Sequence, residues 1–264
     1  MARQRIDLLL VERGLAESRA KAQALVMAGA VVVGETRVDK AGQLVDPALP
    51  IRLKEGAAPQ RWVSRGALKL VGALEAFPIS PAGLTCADLG ASTGGFTDVL
   101  LQHGAARVHA VDVGYGQLHD RIRHDPRVVV HERVNARALT AEAMGGPVEL
   151  VTGDLSFISL RLVLPAVRAI LAPGGHAILL VKPQFEVGKG EVGKGGVVRD
   201  DAKRLEALQA VEAAARALGF EPLGHAASPI EGPAGNREWL LALRLAPGAA
   251  PRPPAPSPGP ARPT

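Results

Sequence analysis

Cysteine is almost missing from this chain of 264 residues: Cys86 stands alone. One thiol can close no internal disulfide and cannot build a cysteine-based zinc site. It lies in an apolar run, which reads as a buried, inert side chain. Aromatic residues are scarce too, at 3%, so aliphatic side chains must fill the core that the 47% hydrophobic content makes affordable. Long apolar runs are lacking, and none approaches the roughly 18 residues that a membrane span requires. Residues 1–10 hold two arginines and an aspartate and show no secretory pattern. A soluble, cytoplasmic protein with no membrane partner is expected. The seven histidines are scattered without metal-ligand spacing, so no metal is expected either.

What the chain has in excess is basic charge, and that charge is localised. Residues 1–70 carry twelve Lys and Arg against seven Asp and Glu, while the remainder carries nineteen of each. The whole formal charge of +5 thus sits at the front, which points to a polyanionic partner met by the N-terminal part. At the other end, eight of the 21 prolines follow Ala246. Residues 246–264 offer too few large apolar groups to offset their ordering entropy and read as a disordered tail.

Two rhythms divide the rest. Residues 6–13 and 19–28 show helical spacing, with Gly14 and Gly29 as stops and Ser18 as N-cap, and short strands are expected at 30–33, 36–38 and 51–53. This makes a small α+β unit over 1–55, followed by a linker at 56–63. From 64 to 245 strands alternate with helices. Strands are expected at 84–89, 107–111, 128–130, 149–151, 177–181, 221–227 and 238–243, and helices at 66–77, 96–102, 160–171 and 201–218. Such alternation implies an α/β fold, a Rossmann-like, mostly parallel sheet covered by helices on both faces. Its ligands would sit at the carboxyl ends of the strands.

The strongest local signal runs from Thr85 to Asp98. An apolar strand leads through Asp88 into Gly90-Ala91-Ser92-Thr93-Gly94-Gly95-Phe96, and the next strand ends at Asp112. Glycine permits the tight turn and a close ligand approach, and Asp112 is placed to grip ribose hydroxyls. Dinucleotide enzymes share this layout, but here Ser92 replaces their middle glycine and Asp88 would repel a pyrophosphate. A methionine ammonium and a sulfonium would be welcome there, so S-adenosylmethionine is the expected cofactor, with Asp88, Gly90, Ser92 and Gly94 on its methionine side and Asn135 near the adenine. Gly188 to Gly195 nearly spells a P-loop. However, Gly195 stands where a hydroxyl should hold magnesium, and no strand runs directly into Gly188, so a mobile substrate-binding loop fits better.

Four polar residues stand at the ends or starts of expected elements: Lys69, Asp154, Lys182 and Glu238. Singly, each could be a surface ion pair or a cap. Together with their surroundings they carry a resemblance. Arg5-Ile-Asp-Leu-Leu-Leu, Gly14-Leu-Ala-Glu-Ser-Arg19-Ala-Lys21-Ala and Gly29-Ala-Val-Val-Val-Gly are similar to the αL-type RNA-binding domain. Val63-Ser-Arg-Gly-Ala-Leu-Lys69-Leu, Asp88 to Asp98, Gly153-Asp-Leu-Ser-Phe-Ile-Ser and Val181-Lys-Pro-Gln-Phe-Glu are similar to the FtsJ-type methyltransferase domain. In this order and at this length, over roughly residues 3–245, the chain resembles the TlyA family, which also carries the label hemolysin.

The resemblance implies 2′-O-methylation of a cytidine ribose in ribosomal RNA of the large subunit, with the small subunit a second target in some members. It carries the family's catalytic Lys-Asp-Lys-Glu set onto Lys69, Asp154, Lys182 and Glu238. Lys182 would serve as the base, Asp154 would orient it, and Glu238 would position Lys69 or the ribose. Arg3, Arg5, Arg19, Lys21 and Arg65 are the expected phosphate contacts, which position an enzyme without reading sequence. Arg61-Trp62-Val63 stands where dual-acting members carry a Trp-Val pair. Ribosomal RNA or ribosomal subunits are therefore the expected partners, and no protein partner is called for. The competing readings are a non-catalytic RNA-binding ribosome-assembly factor, an NAD-dependent reductase and a pore former.

Overall fold

The change of rhythm along the sequence corresponds to two folding units, residues 1–61 and 62–264. The computed structural model describes residues 3–54, 61–188, 190–232 and 234–248. Residues 56–60 of the expected linker and 249–264 of the expected tail lie outside that set.

In the first unit, β1 (Gln4–Arg5) leads straight into α1 (Ile6–Glu12), and α2 (Arg19–Met27) follows. The Ser18 hydroxyl accepts from Lys21 N at 3.3 Å, satisfying one of the free N–H groups at the start of α2. Then come β2 (Val31–Val33), β3 (Thr36–Arg37), β4 (Leu44–Val45) and β5 (Ile51–Leu53). β2 is the centre of an antiparallel sheet of order β3-β2-β5, and β1 pairs with β4. Ile6, Leu9, Leu10, Ala22, Val26, Val31 and Val33 form the core. Within it Asp7 has no exposed surface. Its carboxylate accepts from Arg5 Nε at 3.0 Å and Nη2 at 2.9 Å, and from Arg19 Nε and Gln23 Nε2 at 3.0 Å each. A buried carboxylate is tolerated because four donors replace its water. The two-residue strands β1 and β4 were not foreseen, because two residues show no periodicity.

The second unit begins at Trp62, so Trp62 and Val63, expected in the linker, belong to it. Trp62 is buried against its core and stacks on His103, and Val63 N donates to Asp98 Oδ2 at 2.9 Å. α3 (Ala67–Ala76) precedes β6 (Thr85–Leu89), α4 (Gly95–Gln102), β7 (Arg107–Asp112), the one-turn α5 (Asp120–Arg123), β8 (Val128–Glu132) and β9 (Val148–Gly153). The chain continues through α6 (Leu164–Ile170), β10 (Leu171–Val181), the one-turn α7 (Pro183–Glu186), α8 (Asp201–Ala217), β11 (Phe220–Ala227) and β12 (Trp239–Leu245). The seven strands lie in the order β11-β12-β10-β9-β6-β7-β8. From β10 to β8 all neighbours are parallel, and β12 and β11 add an antiparallel edge.

Both faces of this sheet are covered, which is why its strands read as continuous apolar runs. In β10, Ile178 and Leu180 pack with Leu70 of α3 and Val99 of α4 on one face. Ala177, Leu179 and Val181 pack with Val167 of α6 and Leu208 of α8 on the other. Two expectations need correcting here. The helix expected over 160–171 is a 3-10 turn at Leu160–Leu162 and then α6, because Pro165 lacks an N–H and is tolerated only in a first turn. The strand expected at 177–181 starts at Leu171, with a register shift before His176 that absorbs Pro173, Gly174 and Gly175. No helix among the described residues is long and apolar enough to cross a membrane.

The Asp7 arrangement is testable. Arg5 above all, with Gln23 and Arg19, holds the Asp7 carboxyl well below the usual carboxylate range against the opposing effect of burial. A depressed folded pKa contributes stability above the unfolded value of about 4 and loses it as pH falls below that. Asp7→Ala should destabilise the first unit by about 2–3 kcal/mol at neutral pH, the scale of charge-assisted hydrogen bonds. Hydrogen exchange of the α1 amides in the full chain would show faster opening in the variant, and a shrinking difference from wild type as pH falls from about 5 to 3. Unchanged exchange would contradict the assignment.

Candidate active site

The parallel ladders bring the carboxyl ends of β6, β7 and β9 to one level, pairing Leu89 with Val111 and with Gly153. β10 delivers Lys182 beside them, with Gly153 opposite Leu179. The chain leaves β6 towards β7 on one side and returns to it through β9 on the other, so this edge is the switch point where ligands are expected.

The glycine loop turns there. Gly90 sits at φ +80° and Gly94, at φ +93°, opens α4. Both conformations favour glycine, and at Gly90 a Cβ would also come within 2.9 Å of the Asp154 carbonyl oxygen. Ser92 takes φ +48° without that freedom, and its N–H donates to Asp112 Oδ2 at 2.8 Å. Gly114 N donates to Asp112 Oδ1 at 2.7 Å. The Asp112 carboxylate is thus fixed by one N–H on each oxygen, leaving lone pairs for two neighbouring hydroxyls.

Beside the loop four charged side chains meet. Lys69 Nζ lies 2.8 Å from Glu238 Oε2 and 3.2 Å from Asp154 Oδ2. Lys182 Nζ lies 2.6 Å from Asp154 Oδ1 and donates to Ser156 Oγ at 2.8 Å. Lys69, Lys182 and Glu238 are buried, and Asp154, which links the two lysines, keeps a fifth of its side chain exposed. Charges buried this deeply persist when paired and hydrogen-bonded, and here two cations face two anions. Lys69, Asp154 and Lys182 line a cavity of about 510 Å3 with Gly90, Ala91, Ser92, Thr93, Gly95 and Phe96. Arg65 and Ser64 reach it from the segment before α3. A second cavity of about 410 Å3 shares Gly90, Ser92, Asp154 and Ser156 and continues past Asp112 to Asn135 and Phe157.

The structure places some expected residues differently. Asp88 does not line either cavity; it is wholly buried beneath the loop, accepting from Thr97 Oγ1 at 2.7 Å and from Thr152 Oγ1 at 3.4 Å. In a parallel strand alternate side chains face opposite ways, and a position at the strand end does not guarantee an outlook on the ligand. Burial, the largest influence, pushes its carboxyl up to about 7. Asp88 therefore does not stand at the cavity wall to repel a pyrophosphate. Asn135 lies in the second cavity, but its side-chain oxygen already caps a turn by accepting from Arg137 N at 3.0 Å. Arg5 and Arg19 are both tied to Asp7 and Lys21 to Glu17, each with part of its surface exposed, while Arg3 is exposed. Ser156 and Phe157 were not singled out from the sequence. Both stand in the Gly153-Asp-Leu-Ser-Phe motif beside Asp154. Phe157 is 92% exposed and holds φ +63°, an unusual place and conformation for a large aromatic.

The Asp88 environment has a signed pH consequence. Its folded pKa lies above the unfolded value, so the native state holds more protons between about pH 4 and 7. This group's contribution to stability therefore falls with rising pH across that window and is flat above it. Asp88→Asn removes the penalty, and its stability relative to wild type should rise by about 1–3 kcal/mol between pH 5 and 8, at 1.36 kcal/mol per pKa unit. Urea midpoints at the two pH values check this, and parallel curves for variant and wild type would contradict it.

Comparison with known proteins agrees with this geometry. The FtsJ-like methyltransferase family matches residues 62–245 and the S4 domain matches residues 4–49. The 16S/23S rRNA (cytidine-2′-O)-methyltransferase TlyA of Mycobacterium tuberculosis is 53% identical over 242 residues, 92% of this chain and 90% of that protein. The putative rRNA methyltransferase YqxC of Bacillus subtilis is 50% identical, over 91% of this chain and 85% of its own length. Among solved structures, a putative hemolysin from Streptococcus thermophilus superposes with a TM-score of 0.70 at 43% identity, covering 93% and 90% of the two chains. The glycine loop and ion-paired set described above fall inside the matched methyltransferase domain, and the Asp7 unit is the S4 domain. The chain belongs to the TlyA family, an S4 domain followed by an FtsJ-like methyltransferase domain.

Proposed function

We propose that this methyltransferase acts on the 2′-hydroxyl of a cytidine in ribosomal RNA, in the large subunit and with the small subunit as a second target. The observation that carries the reading is the Lys69–Asp154–Lys182–Glu238 set at the wall of the cavity beside the glycine loop. The cofactor is S-adenosylmethionine, and the residues present suit it: a fixed Asp112 carboxylate for ribose hydroxyls and a loop with no side chain at Gly90. When bound, S-adenosylmethionine supplies an electrophilic methyl group.

The chain's own residues supply the rest. A ribose hydroxyl is a weak nucleophile until a base takes its proton, and positioning contributes much of the rate. Lys182 Nζ is the group that takes it, acting as the neutral amine formed when its ammonium releases a proton to solvent. Asp154 fixes that nitrogen in place and offsets its charge once it is protonated, and Ser156 Oγ gives it a second anchor. Lys69, clamped between Asp154 and Glu238, holds Asp154 from the other side. Arg65 at the cavity and the exposed Phe157 ring suit a nucleotide, one through its phosphate and the other through its base. Arg3, Arg5, Arg19 and Lys21 give the S4 domain a basic surface for phosphates.

Tritium transfer from labelled S-adenosylmethionine into ribosomal subunits that lack the modification tests this. The wild-type chain should label a cytidine whose 3′-phosphodiester resists alkaline cleavage. Lys182→Ala should lose about 10²–10⁴-fold in rate while still binding the cofactor. Subunit binding without any transfer by the wild type would favour a non-catalytic ribosome-assembly factor instead.

A further inference from the structure

The loop between β11 and β12 has two sides. Gly232 faces the cavity of the ion-paired set, whereas Ala234, Gly235 and Arg237 line a separate cleft of about 470 Å3. The other wall of that cleft is the segment entering α8, with Val197, Val198, Arg199 and Arg204. Among the described residues, three arginines and no carboxylate line it.

This cleft is built rather than incidental. Asn236 is 1% exposed, and its amide joins the two walls: Oδ1 accepts from Val198 N at 2.9 Å and Nδ2 donates to Gly196 O at 2.8 Å. The same residue's carbonyl accepts from Gly232 N at 2.9 Å, so cleft and main cavity share one scaffold. Arg237 directly precedes Glu238.

The charges in the cleft are under-compensated. Arg204 is 8% exposed; its Nη2 donates to Arg199 O at 2.7 Å and lies 2.7 Å from Asp201 Oδ1, but its buried Nε has no acceptor among the described residues. Asp201 itself is 84% exposed. Arg237 approaches Glu231 only to 3.8 Å, with both side chains more than half exposed, a pair that water screens heavily. Arg199 is exposed. A buried guanidinium donor without an acceptor is costly and therefore uncommon. The exposed guanidinium groups of Arg199 and Arg237 beside it are open to an oxyanion, and the planar fork of arginine matches a phosphate better than a lysine could.

We propose that Arg199, Arg204 and Arg237 form a phosphodiester-binding subsite for the RNA strand that adjoins the target nucleotide. It rests on the RNA reading above and adds a second, separate point of attachment in the methyltransferase domain. Bound there, a backbone phosphate anchors the strand beside the cavity while leaving the reacting ribose free to align. The subsite adds affinity and no base specificity.

The test uses the full-length chain and large ribosomal subunits lacking the modification, with subunit binding and methyl transfer read on the same mixtures over a range of salt. Arg199→Ala/Arg237→Ala removes the two exposed charges and leaves the buried Arg204 in place. The expected result is a Kd and KM for subunits raised about tenfold, with the slope of log affinity against log salt reduced by about 0.7, one single-strand phosphate contact. Affinity for S-adenosylmethionine should not change, and Arg199→Lys/Arg237→Lys, which keeps both charges, should lose less than the double alanine variant. Unchanged KM and salt slope would overturn the proposal, and so would a fall in kcat at unchanged KM, which would mean that Arg237 acts only through Glu238. If wild type binds subunits but transfers no methyl group, the methylation reading fails while the binding arm still decides the cleft. If wild type binds no subunits, both fall.

Discussion

Asp154 is the point on which the second domain's chemistry hangs. It holds two buried lysines at once, Lys182 on one oxygen and Lys69 on the other. Without it two ammonium groups would share a space with little water, and desolvation costs several kcal/mol for each uncompensated ion. The position of Asp154 depends in turn on the backbone around it. Its N–H donates to Leu89 O at 3.1 Å, and its carbonyl lies where only a glycine can pass, at Gly90. The cofactor loop and the ion-paired set are therefore one construction: β6 and β9 must be neighbours for either to exist. A sheet with its switch point at this place supplies that neighbourhood.

Buried ionic groups recur in both units with different consequences. In the S4 domain Asp7 ties α1 to α2 through Arg19 and Gln23 and also holds Arg5 of β1, and all its donors come from within 16 residues in sequence. There the carboxylate organises a small core and orients Arg5 and Arg19, which keep part of their surface exposed. In the methyltransferase domain Lys69 and Glu238 stand 169 residues apart, so their pairing can form only when the whole sheet is assembled. The first network reports local folding and the second reports completion of the fold.

Much of the architecture was legible because it rests on strong, local signals. Apolar runs of four to six residues ending in Asp-Leu-Gly or Val-Asp mark parallel strands at a ligand edge, and the Gly90 and Gly94 turn needs residues that few positions require. What escaped was of two kinds. Elements of two to four residues, such as β1, β4, α5 and α7, are too short to show a period. Side-chain outlook was the other. Asp88 and Asp112 both end strands in the sequence, yet one is sealed under the loop against Thr97 and the other faces a cavity. Only the three-dimensional register separates them. The grouping of Lys69, Asp154, Lys182 and Glu238 came from family resemblance, since no spacing rule links residues so far apart. The Arg204 cleft left no motif at all, because its arginines come from the first turn of α8 with the segment before it and from the β11–β12 loop, joined by a buried asparagine amide.

The claim that Asp154 organises the reacting centre is tested most directly by single-turnover methyl transfer with Asp154→Asn, which keeps the shape and removes the charge. If the carboxylate holds Lys182 and Lys69 in their working positions, the rate should fall by about a hundredfold or more, the scale of losing one preorganised group, with cofactor affinity within a few-fold of wild type. A rate close to wild type would show that the lysines need no such anchor, and the account of this centre would be wrong.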